Sequence, residues 1–439
     1  MGPRSTLILA LLTLSGCQCG TVPFERCEED EALPTVDAVV WHRHVRPIIE
    51  ARCTRCHQEG GLAPFALTAF SDVKEHLAGI QHTVVARLMP PFMPARCCGK
   101  GYRDDPSLTP AQIATIARWV DDGAPEGDPA DVGPALPLVG ELPRVDETLI
   151  MSEPYLPDVD SHDDTRCFLL DWPFSQQKFV VGFGVTPGVR EQVHHALVVL
   201  APGYARDGFR DLDDDDDKAG WSCPGGLVLG IDDYVGGWSP GWEGAATPPG
   251  TGHQVDGDDV VILTVHYTRP HDGSAALPDQ TSVDFMLADD VGSTLTAVPV
   301  INSAWVFGGL PIPKDNPSVL FDAELDPTDS NWGQPVEVVG VNLHMHERGS
   351  SGVLGIKRQD GSQECLVQID AYDHAWQGDY VLQEPVTLQH GDHAYVECEF
   401  DNSLAHQRIV DGAPEEPRDL NWGEEQEMCV GYLTVKRPR

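Results

Sequence analysis

The chain has 439 residues, which is enough for about three domains at roughly 150 residues per domain. It carries 29 lysines and arginines against 69 aspartates and glutamates, a formal net charge of −40. This charge argues against nucleic acid or anionic lipid as a partner, because an acidic surface repels phosphate groups.

The first 16 residues have the composition of a bacterial export signal. Arg4 gives a positive end, residues 7–14 are apolar, and that run is too short to remain as a membrane-spanning helix. Residues 14–17 (Leu-Ser-Gly-Cys) resemble a lipobox, which predicts lipidation of Cys17 and a tether over residues 17–37. An ordinary secretory signal is the alternative. We therefore expect a protein of the bacterial cell envelope, lipid-anchored on the periplasmic face or at the outer membrane, with no other membrane contact.

Residues 53–57 (Cys-Thr-Arg-Cys-His) form a CxxCH motif, the attachment signal for c-type haem. In this motif the two thiols bond covalently to the porphyrin and the histidine binds the iron. The sequence therefore predicts haem c on Cys53 and Cys56, with His57 as an iron ligand.

Two helices are predicted around this motif. The first has apolar residues at helical spacing, namely Trp41, Val45, Ile48 and Ile49. For the second, residues 109–112 (Thr-Pro-Ala-Gln) combine a capping box with a proline at the first helical position, and Gly123 marks the end. We expect a small all-α cytochrome c-like domain at residues 38–128 and a proline-rich linker at 129–147.

The sixth iron ligand is expected in residues 89–94 (Met-Pro-Pro-Phe-Met-Pro). Resemblance to cytochrome domains with a Met-Pro-Pro segment favours Met89, and Met93 is the alternative. His76 or His82 could replace both. Methionine ligation raises the haem potential and closes the iron to oxygen, which suits electron transfer.

From about residue 148 onward, short β-branched and aromatic runs alternate with Gly, Pro and Asp clusters. This pattern is typical of β-sandwiches. Nearly 300 residues is large for one sandwich, so we expect two all-β, jelly-roll-like sandwiches at residues 148–290 and 291–439.

The strand that ends in His344-Met345-His346 predicts a metal site. Alternate side chains on a strand share a face, so the two histidines project together and Met345 points away. A third ligand must come from elsewhere, and we favour Met428. Imidazole with thioether is a softer donor set than zinc usually takes, and it suits a copper ion that cycles through Cu(I).

His194, His195 and His266 predict a second metal site. Adjacent residues on a regular strand face opposite sides, so the pair can bind one metal only where a bulge or a strand end turns one of them. Three imidazoles without a thioether would form a separate, more exposed site.

These segments resemble, in order, the ligand motifs of the copper type II, ascorbate-dependent monooxygenases, which include peptidylglycine α-hydroxylating monooxygenase and dopamine β-monooxygenase. The resemblance covers residues 148–436 and rests on four segments: Gln192–Leu197, Leu263–Tyr267, Leu343–His346 and Glu427–Cys429. It implies two sandwiches across a solvent-filled cleft, each with one copper. His194, His195 and His266 would hold the electron-storing copper, and His344, His346 and Met428 the copper that binds O₂.

The resemblance also implies disulfides and a substrate class. Cys398 with Cys429 and Cys167 with Cys223 match family disulfides. Cys365 could compete for Cys398, Cys97 or Cys98 could pair with Cys27, and the state of Cys19 is open. Tyr432 matches a family tyrosine, whereas Asn342 and Val430 replace an arginine and an asparagine of the peptide-hydroxylating enzymes. Without the bidentate guanidinium, we do not expect a peptide carboxylate as substrate.

The predicted function is that of an oxidoreductase: a copper monooxygenase that uses O₂ to hydroxylate a C–H bond of a small organic substrate. The second oxygen atom is reduced to water. Electrons would arrive through the haem from an ascorbate-like reductant or a periplasmic donor protein. The alternative is a non-catalytic envelope lipoprotein that binds copper and haem for electron relay, sensing or metal storage.

Overall fold

A computed structural model describes residues 38–438 except 97, 160–163, 224–232, 243, 271–273, 330–332, 411–412 and 424–425. The predicted export signal, the tether, Cys17, Cys19, Cys27 and Cys97 therefore lie outside the described residues. A π-helical turn, Trp41–Val45, leads into the first helix. The helices are α1 (Arg46–Arg52), α2 (Phe70–Glu75), α3 (Leu77–Val85), α4 (Pro110–Asp121) and α5 (Arg206–Asp215).

Buried apolar side chains of helices α1 to α4 form one cluster with residues of the loops between them, such as Leu67 and Leu108. Trp119 and Ile116 of α4 are fully buried, and the Trp119 ring lies 5.7 Å from that of Trp41. The helix α4 begins as predicted, since the Thr109 side chain accepts a hydrogen bond from the Gln112 N–H. These apolar side chains form the core that holds the four helices together.

The strands begin at Glu147 and fall into two halves. Those of the first half are β1 (Glu147–Ile150), β2 (Asp164–Leu170), β3 (Lys178–Thr186), β4 (Val193–Ala201), β5 (Trp221–Ser222), β6 (Asp233–Trp238), β7 (Ala245–Ala246), β8 (Thr251–Val255), β9 (Val260–Tyr267) and β10 (Ser282–Ala288). Those of the second half are β11 (Ser293–Val300), β12 (Val319–Leu325), β13 (Val336–His344), β14 (Gly349–Lys357), β15 (Gln363–Ile369), β16 (Tyr380–Leu388), β17 (His393–Phe400), β18 (Ile409–Val410), β19 (Ala413–Pro414) and β20 (Val430–Pro438).

Each half is a β-sandwich. In the first sandwich, a sheet in the order β5-β2-β9-β4-β6 packs on β1-β10-β3-β8, with one buried apolar core between them. In the second sandwich, β12-β17-β14-β15 packs on β11-β20-β13-β16 around another core. The two halves share a sheet, because β8 pairs in parallel with β11 at Thr251 and Ser293.

The prediction of a separate all-α cytochrome c-like domain is wrong, although the β-rich part of the predicted fold class is correct. Only 17% of the described structure is helical, and no distinct all-α domain is evident in it. The segment that follows α3 joins the second sandwich instead. Pro94 bridges Ile369, Tyr102 bridges Leu382, and a Cys98–Cys365 disulfide fixes the connection.

The physical reason for this correction lies in the side chains of residues 92–103. Tyr102 is buried in the core of the second sandwich, and Phe92 and Met93 pack against the same core. The amide of Ala95 also donates to the Gln368 carbonyl. Sequence periodicity reports local helices but not such long-range contacts. The boundaries near residues 128, 147 and 290 stay predictions. In the described part of the chain, no helix combines the length and apolar character needed to cross a membrane.

Candidate metal centres

The first histidine set comprises His194, His195 and His266, on the neighbouring strands β4 and β9. His195 pairs with His266, and the register shifts between Val193 and His195. This irregularity turns both adjacent histidines toward the same point. The Nδ1 atoms of His194 and His266 each lie 3.2 Å from Nδ1 of His195.

The donor geometry of this set fits a metal ion. One nitrogen from each ring lies within 4.8 Å of the other two. A single Nδ1 of His195 cannot make good hydrogen bonds with two other Nδ1 atoms at once, because it carries either one proton or one lone pair. Burial lowers the pKa of His195 well below its ordinary value, which keeps the ring neutral and able to bind a cation.

The second ligand set comprises His344, His346 and Met428. The rings of the two histidines are 5.0 Å apart between centroids. Gln377 Oε1 lies 2.5 Å from Nδ1 of His344, and the Gln426 carbonyl lies 3.4 Å from Nδ1 of His346. A proton on each Nδ1 leaves both Nε2 atoms with a lone pair for a metal. Burial lowers the pKa of His344 and brings that of His346 to about 3, so both rings are neutral.

Met428 lies beside these histidines by strand register. His344 pairs with Val430, two residues beyond Met428, and the Met428 side chain is buried. The Cys398–Cys429 disulfide ties this part of the chain to β17. Met345 is fully buried in the core of the second sandwich, where it contributes to packing.

Glu427 supports the second set, although the sequence offered no signal for this role beyond its place next to Met428. Its fully buried carboxylate accepts hydrogen bonds from the N–H groups of His346 (2.9 Å) and Arg348 (2.6 Å). Burial raises the pKa of Glu427 to about 8, against the opposing effect of these two hydrogen bonds. Glu427 thus fixes the backbone that follows the H-x-H strand.

His374 was also missed by sequence reasoning, because it is a single histidine in a loop. It opens a 3₁₀ turn, His374–Trp376, between β15 and β16. Its ring centroid lies 5.9 Å from that of His195, 6.1 Å from that of His266 and 5.9 Å from that of His346. His374 therefore lies between the two sets.

The loop that carries His374, residues 370–379, ties the two sandwiches together. We call it the linking loop. Tyr372 O–H donates to the Met345 carbonyl at 2.7 Å. Asp379 Oδ2 accepts from the Tyr234 O–H (2.7 Å) and the Gly237 N–H (2.5 Å) of the first sandwich.

A separate cavity of about 800 Å³ contains the CxxCH residues. Cys53, Cys56, His57 and Met89 line it, together with Trp376 of the linking loop. His57 Nδ1 lies 3.1 Å from the Phe65 carbonyl, which leaves Nε2 available to a metal. Neither cysteine forms a disulfide with another described residue, and burial raises the pKa of Cys53 to about 12.

The other candidate iron ligands differ in their surroundings. His76 lines the same cavity and stacks on Phe65 at 3.9 Å between centroids. Met93 Sδ instead accepts a hydrogen bond from the Asp373 N–H at 3.2 Å, against the second sandwich. His82 lies on α3 and its backbone carbonyl caps the end of that helix.

The remaining predicted residues are placed as follows. Tyr432 lies on β20 opposite Asn342, with its ring 5.9 Å from that of Tyr234. Burial raises the pKa of Tyr432 to about 12. Asn342 donates to the Gly378 carbonyl at 3.1 Å.

The structure has disulfides Cys167–Cys223, Cys398–Cys429 and Cys98–Cys365. Cys365 therefore pairs with Cys98 and does not compete for Cys398.

Comparison with known protein families gives a match for one stretch of the chain. Residues 324–435 match the C-terminal domain of copper type II ascorbate-dependent monooxygenases, a family of copper oxidoreductases. The match includes His344, His346, Met428 and His374, whereas the first histidine set lies outside it. No curated protein matches the chain.

Solved structures give only weak likenesses. The major capsid protein P2 of bacteriophage PM2 shares 9% identity, with a TM-score of 0.24, over 66% of this chain and 97% of that one. A two-domain protein of unknown function from Bacteroides fragilis NCTC 9343 shares 10% identity, with a TM-score of 0.16, over 62% and 94%. These scores are too low to support an argument about function.

Proposed function

We propose that the protein is a copper-dependent monooxygenase that hydroxylates a C–H bond of a small organic substrate with O₂. The observation that carries this proposal is the second ligand set, because two imidazoles 5.0 Å apart between centroids and the buried Met428, placed beside them by strand register, lie within the stretch that matches the monooxygenase C-terminal domain. One oxygen atom enters the substrate and the other leaves as water, with two electrons from an external reductant.

The chain's own residues would bind and orient two copper ions. Copper supplies electron storage and oxygen binding when it is bound. His194, His195 and His266 would present Nδ1 atoms, whereas His344 and His346 would present Nε2 atoms. The Met428 thioether favours copper over zinc, because soft donors stabilise Cu(I). Gln377 and Glu427 hold the second set in place.

We further propose that the CxxCH cavity holds a covalent haem c. Cys53 and Cys56 would bind the porphyrin, and His57 Nε2 and Met89 would be the iron ligands. The cavity volume lies within the range of roughly 300–1,000 Å³ that is usual for cofactor sites. Haem with these ligands supplies one-electron transfer. Trp376 lines this cavity and belongs to the same turn as His374, so we propose the linking loop as the route for electrons from the haem to the copper sets.

The substrate proposed is small and uncharged. Asn342 takes the place where the resemblance expects an arginine, and its amide is already bonded to the Gly378 carbonyl. The net charge of −40 further disfavours an anionic substrate. We propose that Tyr432 is a residue of the active site. We place the protein in the cell envelope, where ascorbate or a periplasmic electron-donor protein would reduce it.

The test begins with metal content of the purified full-length protein, measured by mass spectrometry beside the reduced haem spectrum. We expect two coppers per chain, falling towards one in His194→Ala and in Met428→Leu. Met286→Leu, a buried methionine on β10, is the matched control and should keep both. Product formation must also require O₂. Zinc or no metal would overturn the proposal, and two coppers without oxygen-dependent turnover of any C–H substrate would favour a metal-binding relay.

A further inference from the structure

The geometry of the first histidine set depends on one extra residue in β4. Val193 pairs with Tyr267 and His195 pairs with His266, so two steps along β4 correspond to one step along β9. His194 is the inserted residue of this bulge. On a regular strand the rings of His194 and His195 would project from opposite faces. The groups that hold the bulge therefore decide whether three imidazoles can face one ion.

Gln192 holds the chain immediately before the bulge. Its side chain is fully buried, its Nε2 donates to the Leu277 carbonyl at 2.5 Å, and its Oε1 accepts from the Leu277 N–H at 2.9 Å. The Gln192 carbonyl accepts from the Thr268 N–H at 2.9 Å, two residues beyond His266. Gln192 thus fixes the start of β4 against both the end of β9 and the chain at Leu277.

Asp279 holds the same region through its carboxylate, which is fully buried. Oδ1 accepts from the Val189 N–H at 2.7 Å. Oδ2 accepts from the Tyr267 O–H at 3.0 Å and from the Thr281 O–H at 2.7 Å. Val189 begins the turn that leads into β4, since its carbonyl accepts from the Gln192 N–H at 3.3 Å. The carboxylate therefore connects the turn before β4 to the last residue of β9.

The cost of burying these two side chains indicates what they do. An amide and a carboxylate inside an apolar core cost free energy unless hydrogen bonds satisfy them. A bulge interrupts the ladder of backbone hydrogen bonds, so other groups must hold the chain there. Gln192 and Asp279 supply such bonds on both sides of the inserted residue, whereas a regular pairing of β4 with β9 would need neither.

We propose that Gln192 and Asp279 are positioning residues for the first copper ion, which hold the bulge at His194 so that the three imidazoles face one point. This inference rests on the proposed function, since the first histidine set must bind copper. It goes beyond that function because it assigns a role to two residues that are not ligands.

The experiment compares copper binding in variants of the full chain. Gln192→Leu removes both hydrogen bonds to Leu277, and Asp279→Asn removes at least one of the three to the carboxylate. In each variant we expect copper to fall from two per chain towards one, because the second ligand set keeps its own ion. In a Met428→Leu background, chelator competition with Cu(II) should show a loss of affinity at the first set of roughly 10- to 100-fold. The electron paramagnetic resonance spectrum of that Cu(II) should change from three bound nitrogens to fewer.

Gln407→Leu is the control that separates positioning from a general loss of stability. It removes another buried amide, which donates to Asn402 Oδ1 and to the Ser403 carbonyl in the second half of the chain. We expect it to lower the free energy of unfolding of the metal-free protein, as Gln192→Leu does. It should nevertheless keep the affinity and the spectrum of the first set.

The outcomes separate this inference from the proposed function. A wild type without copper would overturn both. Wild-type affinity at the first set in Gln192→Leu and Asp279→Asn would overturn only the inference, and so would an equal loss of affinity in Gln407→Leu. Copper retained at the second set shows that a variant is folded. If Gln192→Leu and Asp279→Asn do not fold, Tyr267→Phe decides, because it deletes only the hydroxyl that donates to Asp279, and unchanged affinity there would overturn the inference.

Discussion

The side chain of Gln377 orients His344 and also fixes the turn that carries His374. Its Oε1 lies 2.5 Å from Nδ1 of His344, and its Nε2 donates to the His374 carbonyl at 3.2 Å. An amide oxygen only accepts, so the proton is on Nδ1 and Nε2 of His344 keeps its lone pair. One residue outside the ligand sets thus determines the geometry at two imidazoles.

Gln377→Leu should therefore weaken copper binding at the second ligand set. We expect an affinity loss of roughly 10- to 100-fold, the usual cost of removing a hydrogen bond that orients a metal-binding histidine. Chelator competition on the metal-free protein measures it, with Gln363→Leu, at the exposed start of β15, as the control. Equal affinities in both variants would show that Gln377 does not orient His344.

Glu427→Gln should lower stability, because both carboxyl oxygens accept N–H bonds, whereas an amide has only one oxygen that can accept. At pH 5 the folded carboxyl is neutral, and its hydroxyl oxygen keeps a lone pair for one of these N–H groups. The displaced N–H of His346 or Arg348 would face an NH₂ group in a fully buried site. We expect a loss of about 1–3 kcal/mol in the free energy of unfolding at pH 5. Urea denaturation of the metal-free protein provides the measurement.

The same residue predicts a pH dependence. Its pKa is raised to about 8 in the folded protein, above the ordinary value of 4.5. The folded state therefore binds more protons between these two values, and stability falls as pH rises from about 5 to 8. In Glu427→Gln the free energy of unfolding lacks this pH dependence. The difference in unfolding free energy between wild type and variant should therefore narrow towards pH 8. A constant difference across this range would contradict the raised pKa.

Local patterns predicted local structure well. Thr109 and Gln112 form the expected capping box, and the H-x-H strand runs from Val336 to His344. Glu427 and His374 gave no comparable signal, because their roles depend on contacts with residues far away in the chain. For the same reason the attachment of residues 92–103 to the second sandwich could not be read from helical periodicity.

The two methionines near the haem cavity should respond differently to substitution. Met89 lines the cavity, whereas Met93 accepts a hydrogen bond from the Asp373 N–H. We expect Met89→Leu to remove methionine ligation, lower the haem reduction potential and change the reduced spectrum. Met93→Leu should leave the haem reduction potential and the reduced spectrum as in the wild type. The reverse pattern would make Met93 the ligand, and no covalent haem in any variant would refute the haem proposal.

Loss of the Cys98–Cys365 disulfide should loosen the helical segment from the second sandwich. The bond closes a sequence separation of 267 residues, so it restricts the unfolded chain strongly. We expect Cys365→Ser to cost roughly 2–5 kcal/mol, with faster hydrogen exchange at residues 92–103. Cys365 is the better position to change, because Cys97 lies next to Cys98. Wild-type protein under reducing conditions should approach the variant, and identical exchange in both would argue against this attachment.

The contact between Asp379 and Tyr234 should contribute measurably to the packing of the two sandwiches. The carboxylate accepts from the Tyr234 O–H at 2.7 Å and from the Gly237 N–H at 2.5 Å, and these donors belong to the opposite sandwich. Asp379→Ala leaves both donors without this acceptor, which should cost about 1.5–3 kcal/mol. Tyr234→Phe removes only one donor and should lower the free energy of unfolding by less.

In a double-mutant cycle the effects of Asp379→Ala and Tyr234→Phe should be non-additive by roughly 0.5–3 kcal/mol, because the two residues are in direct contact. Additive effects in urea denaturation would mean that the linking loop is held by its other contacts, and that the position of His374 does not depend on this bond.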